Sequence, residues 1–170
     1  MMVKYMYLIF GARGKIENVD DFLKKIAKFS KKKNTVIQVF NADMIYDENH
    51  IISAYEHAKR AMIRKTNSTN TLEMEILLYS SGDRQLKKAI LKMGVKKGNA
   101  NIAFFIEEKS KDIEKHLLNE LSLKRDDKVL KGDINTLKKF GITDDEISTV
   151  SKEKMGHIIL EKIAFVDIIK

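Results

Sequence analysis

Between Asn49 and Val95 the chain is punctuated as three consecutive helices, and that run constrains the fold more than any other feature. Residues 49–65 place Ile51, Ile52, Tyr55, Ala58 and Met62 on one side and Ser53, His57, Arg60 and Arg64 on another, the recurrence of an amphipathic helix. Asn70-Thr71-Leu72-Glu73 resembles a capping box with Asn70 at the N-cap, and it opens a second helix carrying Leu72, Ile76, Leu77 and Tyr79. Gly82 stops that helix. Asp83 can cap a third, carrying Leu86, Ala89, Ile90 and Met93 and closed by Gly94.

The sheet has to come from outside that run. Val3–Phe10, Thr35–Phe40 and Asn101–Glu108 are short stretches rich in β-branched and aromatic residues, and they read as strands. Between the first two, Phe22, Leu23, Ile26 and Phe29 recur at helical spacing after Asn18 and Asp20, and Lys31-Lys32-Lys33 closes the run where cations suit a helix C-terminus. The start is therefore β-α-β. After the third strand Ser110 can cap a helix bearing Ile113, Leu117, Leu118 and Leu121, and Lys124–Lys131 is a charged loop. Asp133–Phe140, closed by Gly141, and Thr143–Val150, with a capping box at Thr143 and Glu146, are two short helices. Ser151 opens the last helix through Met155, Ile158, Ile159, Ile163 and Val166. The expected fold is α/β (α+β), one domain over residues 1–170, with a small mixed sheet of about three to four strands packed with about seven helices.

With 44% hydrophobic and 33% charged residues, the chain is neither disordered nor membranous. Having no cysteine, it can form no disulfide, thiolate nucleophile or cysteine-type metal site. The apolar run Met1–Phe10 is broken by Lys4 and lacks a small-residue cleavage site, which argues against a signal peptide and for the cytoplasm.

No catalytic constellation emerges. Gly11-Ala12-Arg13-Gly14-Lys15 is too short for a phosphate-binding P-loop and reads as a strand-ending turn. His50, His57, His116 and His157 show no spacing that puts two metal ligands on one helical face. The acidic pairs Asp20-Asp21, Glu107-Glu108, Asp126-Asp127 and Asp144-Asp145 fall at helix starts or in charged segments, where the helix dipole and solvent account for them. Ser80-Ser81-Gly82 lacks the strand and frame of a nucleophile elbow. No metal, cofactor or small-molecule substrate is implied.

Charge is more informative. The net charge is +8, but residues 50–98 hold +6 of it, against +3 for residues 1–49 and −1 for residues 99–170. Arg60 and Arg64 share a face of the first central helix. Arg84, Lys87, Lys88 and Lys92 lie on the third, so side-by-side packing of those two helices would bring the cations together.

An ordered series of short motifs runs through this region: Asn41-Ala42-Asp43; Glu56-His57-Ala58 with Arg60-Ala61; Asn70-Thr71-Leu72 and Glu75 through Gln85; and Ala89-Ile90 with Met93-Gly94-Val95. In that order the series resembles the small regulatory subunit of the KEOPS (EKC) complex, of archaeal type. The resemblance implies a non-catalytic protein that binds the Bud-type kinase/ATPase subunit and binds tRNA by its single-stranded 3′ CCA end, in a complex that makes threonylcarbamoyladenosine. Carried to the matching positions, the RNA contacts would be Arg60, Arg64, Asn70, Ser81, Gly82, Arg84, Gln85 and Lys88. Cations would hold phosphates, Asn70 and Gln85 would meet base edges, and Gly82 would admit the backbone to the nucleotide. An apolar strip on the last helix, Ile158, Ile159, Lys162, Ile163 and Val166, would dock on the kinase. The competing reading is a protein-only adaptor whose basic surface meets an acidic kinase face.

Overall fold

The first strand does not end at its glycines. In a computed structural model, which describes residues 7–107, 110 and 112–170, β1 runs from Leu8 to Ile16 straight through Gly11 and Gly14. The Val3–Met6 start expected for this strand, and Glu108 at the end of the third, lie outside the described residues. The glycines mark close approach rather than a turn: a Cβ on Gly11 would sit 2.5 Å from the Asp126 carbonyl oxygen, and one on Gly14 would sit 2.3 Å from Leu123 Cδ2. The segment Lys124–Lys131, expected to be a charged loop, crosses that face. It supplies β4 (Lys124–Arg125) and a 3-10 turn at Asp127–Leu130.

The remaining strands are β2 (Val36–Asn41) and β3 (Gly98–Glu107), and the sheet order is β2-β3-β1-β4. β3 pairs with β1 from Leu8↔Ile106 to Ile16↔Gly98 and with β2 from Val36↔Glu107 to Asn41↔Ile102, and every pairing is antiparallel. The sheet is therefore antiparallel, not mixed. β1 and β2 run in the same direction, as their link through α1 (Val19–Lys33) requires, but β3 lies between them, so the β-α-β unit is split. β3 earns the central place because both of its faces are apolar. Ile102, Phe104 and Ile106 point to one side and Ala103 and Phe105 to the other, all fully buried.

Helices cover both faces. On one, α1 contributes Phe22, Ile26 and Phe29, and α5 (Ile113–Glu120) contributes Ile113, Leu117 and Leu118, over Phe10, Ile37 and Phe104. On the other, α2 (Glu48–Arg64), α3 (Leu72–Ser81), α6 (Ile134–Phe140) and α8 (Met155–Ile169) pack with Met93 of α4 (Leu86–Met93) on Phe40 and Phe105. With α7 (Asp144–Ser148), the described residues form eight α-helices and four strands, an α+β fold. Each fully buried Leu, Ile or Phe contributes about 1.5–3 kcal/mol.

Helix starts follow local hydrogen bonding. Asn18 caps α1 through the Asp21 N–H at 2.9 Å, and Asp47 caps α2 through the His50 N–H at 3.0 Å. Thr71, not Asn70, caps α3, its hydroxyl accepting from the Met74 N–H at 3.3 Å. Asp83 does not cap α4; its carboxylate accepts from the Gln85 N–H at 3.0 Å within the preceding turn. α5 starts after Asp112 rather than Ser110, and α8 starts at Met155 after a 3-10 turn. The reciprocal capping box belongs to Asp133 and Thr136 instead of Thr143 and Glu146.

Candidate functional site

α3 is buried on every side from Glu75 to Ser81, and it lies between α2 and α4. The two cationic helices therefore flank it rather than meeting. α2 and α3 are antiparallel: His50, in the first turn of α2, bonds the carbonyl of Ser80 at 2.8 Å, while the C-terminus of α2 leads through residues 65–71 into the start of α3. The RNA residues expected from the sequence fall accordingly into two groups. Arg60, Arg64 and Asn70 sit at one end; Ser81, Gly82, Arg84, Gln85 and Lys88 sit at the other. The ten residues from His50 to Arg60 put about 15 Å of helix between the groups.

The Gly82 end is a rigid pedestal. His50 Nδ1 accepts from the Tyr46 N–H at 3.2 Å, so its Nε2 carries the proton that goes to Ser80. Burial pushes its pKa down to about 4, and the edge of Phe140 packs against the neutral ring. Ser81 is buried too. Its hydroxyl donates to the Leu78 carbonyl at 2.6 Å and accepts from the Asp83 N–H at 3.0 Å. Gly82 takes the left-handed conformation that closes α3, with φ +68°. A Cβ there would point toward Lys162 and Phe140, into the protein, and not toward an approaching ligand. Lys92 turns inward as well, donating to the Ser81 carbonyl at 3.0 Å over the Phe140 ring. Burial pulls its pKa down to about 8. Arg84, Gln85, Lys87 and Lys88 remain exposed around the α3–α4 turn. Of the sequence-derived residues at this end, Ser81 and Gly82 shape the turn, whereas Arg84, Gln85 and Lys88 face solvent.

The other end is built on an ion pair. Glu75, fully buried, accepts from Lys170 Nζ at 3.0 Å, the Thr69 N–H at 2.9 Å, the Thr69 hydroxyl at 2.7 Å and the Ser68 N–H at 3.1 Å. Those bonds fasten the 66–71 loop to the end of α8. Above them lies a cavity of about 430 Å³ lined by Arg60, Arg64, Thr66, Ser68, Asp167 and Lys170. Asp167 links three helices, accepting from the Tyr79 hydroxyl and bonding His57 Nδ1 at 2.8 Å. Asn70 is exposed beside this loop.

The strip expected on α8 is not a surface. Ile158, Ile159, Ile163 and Val166 are buried in the core, and Lys162 pairs with Glu146 at 2.9 Å. The helix also carries apolar side chains on its outer face. Its outer face presents Phe165, 52% exposed, and Ile168, 74% exposed, and the adjoining α2 presents Ile63 at 69%. Glu161, Ala164, Phe165 and Ile168 carry the i, i+3, i+4, i+7 spacing of that second face, a signal the sequence held and the strip Ile158–Val166 obscured. Among the described residues no group of three or more His, Asp or Glu side chains could hold a metal ion, and no helix is long and apolar enough to cross a membrane.

This geometry carries two exposed features on a fixed scaffold: a cationic turn at Arg84–Lys88 and apolar side chains at Phe165 and Ile168 of α8. Residues 14–167 match the family model described as "Kinase binding protein CGI-121". The chain belongs to the CGI-121 family. It is also 32% identical over 136 residues, covering 78% of this chain and 84% of the relative, to "Regulatory protein Cgi121" of Methanocaldococcus jannaschii. The family match spans both ends of the α2–α3 pair and all of the motif series that runs from Asn41 to Val95.

Proposed function

We propose that this CGI-121 protein is the non-catalytic regulatory subunit of a KEOPS complex. It binds the Bud-type kinase/ATPase subunit and recruits tRNA by the single-stranded 3′ CCA end for threonylcarbamoyladenosine synthesis. Family membership carries the kinase half of this reading. The RNA half is supported by the exposed Arg84, Gln85, Lys87 and Lys88 around a turn fixed by His50 and Ser81. An arginine plane can stack on an unstacked base, an amide can meet a base edge, and the lysines can neutralise phosphates.

A specific observation favours protein contact at the other end. Ile63 on α2 and Phe165 and Ile168 on α8 are large apolar side chains left exposed, and α2 packs on α8. Exposed apolar side chains suit a protein partner better than a nucleic-acid backbone, so the kinase docks on α8 and RNA binds at Arg84–Lys88.

Mobility shift with intact and 3′-trimmed tRNA tests the reading. Intact tRNA should bind more tightly, and Arg84→Glu should abolish the difference. Equal binding of the two tRNAs by the wild-type chain refutes end recognition. Ile168→Glu should remove co-purification with the kinase while leaving tRNA binding unchanged. Retention of the kinase by that variant moves the docking surface elsewhere.

A further inference from the structure

The sheet face opposite α2 and α3 carries a second charged surface that neither of those contacts uses. α1 and α5 enclose a groove of about 700 Å³ lined by Lys25, Lys28, Lys32 and Lys33 of α1 and by His116 and Asn119 of α5. Phe22, Ile26 and Phe29 bury the inner side of α1 against the sheet. The lysines are thereby held along its outer flank.

Among the described residues these lysines lack ion-pair partners. Elsewhere on the molecule Arg13 pairs with Asp126 at 2.7 Å, Lys59 with Glu107 at 3.2 Å, Lys138 with Asp144 at 3.3 Å and Lys162 with Glu146 at 2.9 Å. Among the described residues no carboxylate pairs with Lys25, Lys28 or Lys32, although Glu120 borders the same groove. A row of unpaired like charges repels itself, and a polyanion relieves that repulsion.

Lys25, Lys28 and Lys32 follow i, i+3, i+7 spacing on one face and span about 10 Å. A duplex strand winds around its axis, so its phosphates lie farther apart than the axial rise of ~3.4 Å found in DNA, and the row reaches about two to three of them. Binders of single strands add exposed aromatic rings on which bases stack. Here, among the described residues lining the groove, the one benzene ring is Phe29, which is buried. What remains is suited to backbone: ammonium groups for phosphates, with the Asn119 amide and the His116 ring for 2′-hydroxyls.

We propose that the α1–α5 groove binds the sugar-phosphate backbone of a double-stranded RNA stem. The proposal rests on the reading of this chain as an RNA-binding subunit, and it adds a surface distinct from the one assigned to the single-stranded end.

The test uses the full chain and a blunt-ended RNA hairpin of about 16 base pairs, enough for a duplex binder and without a free 3′ overhang. Fluorescence anisotropy across a salt series compares the wild type with K25Q/K28Q/K32Q, whose glutamines preserve helix propensity. The triple variant should lose at least about tenfold in hairpin affinity, and the slope of log K against log salt should fall in magnitude by about 2–3. Its preference for intact over 3′-trimmed tRNA should be unchanged. An unchanged hairpin affinity and slope in the variant overturns the proposal, as does a wild-type chain that binds no hairpin at low salt. Polyglutamate that displaces the hairpin better than polyphosphate of equal charge also overturns it, assigning the groove to an acidic protein instead. The two readings fail separately. Lysine-dependent hairpin binding without end preference leaves the groove and removes the end site; end preference without hairpin binding does the reverse.

Discussion

Glu75→Ala is the substitution with the largest calculable consequence. The carboxylate is fully buried and holds four donors: Lys170 Nζ, whose side chain is 7% exposed, the Thr69 N–H and hydroxyl, and the Ser68 N–H. Removing one member of a buried ion pair costs about 3–5 kcal/mol, because the other charge stays desolvated. A buried N–H left without an acceptor adds about 1–3 kcal/mol. Relief comes from two sides. Ser68 is exposed, so its N–H can turn to water, and Lys170 lies at the end of α8, where one frayed turn releases its ammonium to solvent. The net expectation is a loss of about 3–4 kcal/mol, or about 10 °C in Tm for a chain of this size. Thermal unfolding measures the total, and amide exchange at Thr69 reports the loop directly. Lys170→Ala in the Glu75→Ala background should cost nothing further, since the stranded charge is then gone. A Glu75→Ala protein within about 1 kcal/mol of wild type, or a double variant much weaker than the single, refutes the claim that this pair fastens the 66–71 loop to α8. Because the last turn of α8 carries Ile168, the same variant should also weaken kinase docking.

Two further outcomes follow from the Gly82 end. His50 has its pKa lowered from 6.5 to about 4 by burial, so the unfolded chain binds more protons between those values. Its contribution is complete above pH 6.5 and is lost as pH falls toward 4, amounting to about 2 kcal/mol between pH 7 and pH 5; urea unfolding at the two pH values should show that loss in the wild type and not in His50→Gln. Gly82→Ala should lower stability by about 1–2 kcal/mol through its positive φ, and leave tRNA affinity of the folded protein unchanged, because the added Cβ points toward Lys162 and Phe140. Weakened tRNA binding in a normally folded Gly82→Ala protein would restore a direct nucleotide contact at that glycine.

The parts of the fold that could be read from the residues were those fixed by local rules. α1, α2, α3 and α4 appear where their apolar spacing predicts, and Asn18, Gly82 and Gly141 terminate helices as their side chains or backbone freedom require. What could not be read was the order of strands. A split β-α-β unit and an adjacent one present the same sequence, since the difference lies in whether β3 inserts between β1 and β2, a pairing set by residues about ninety positions apart. Gly11 and Gly14 misled for a related reason. Their need for space arises from Leu123 and Asp126, far along the chain, and nothing adjacent to them in the sequence announces a crossing segment.

The same distinction explains the candidate site. Residue type identified the cations and amides, yet not which of them would share a surface, because α3 separates α2 from α4 and is itself polar enough at Glu75, Ser80 and Ser81 to pass for an exposed helix. Those three residues are buried because each has internal partners: loop amides and Lys170 for Glu75, and helix carbonyls for the serines. Polar residues at the heart of a motif therefore belong here to the scaffold, and the residues free to bind are the less distinctive Arg84, Gln85, Lys87 and Lys88 carried on it. On α8 the relation is reversed. An apolar periodicity visible in the sequence belonged to the core, and the exposed face, Phe165 and Ile168, was offset from it by a fraction of a turn. Unlike α3, which is buried on every side, α8 buries one apolar face and leaves Phe165 and Ile168 exposed, the face to which the proposal assigns kinase docking.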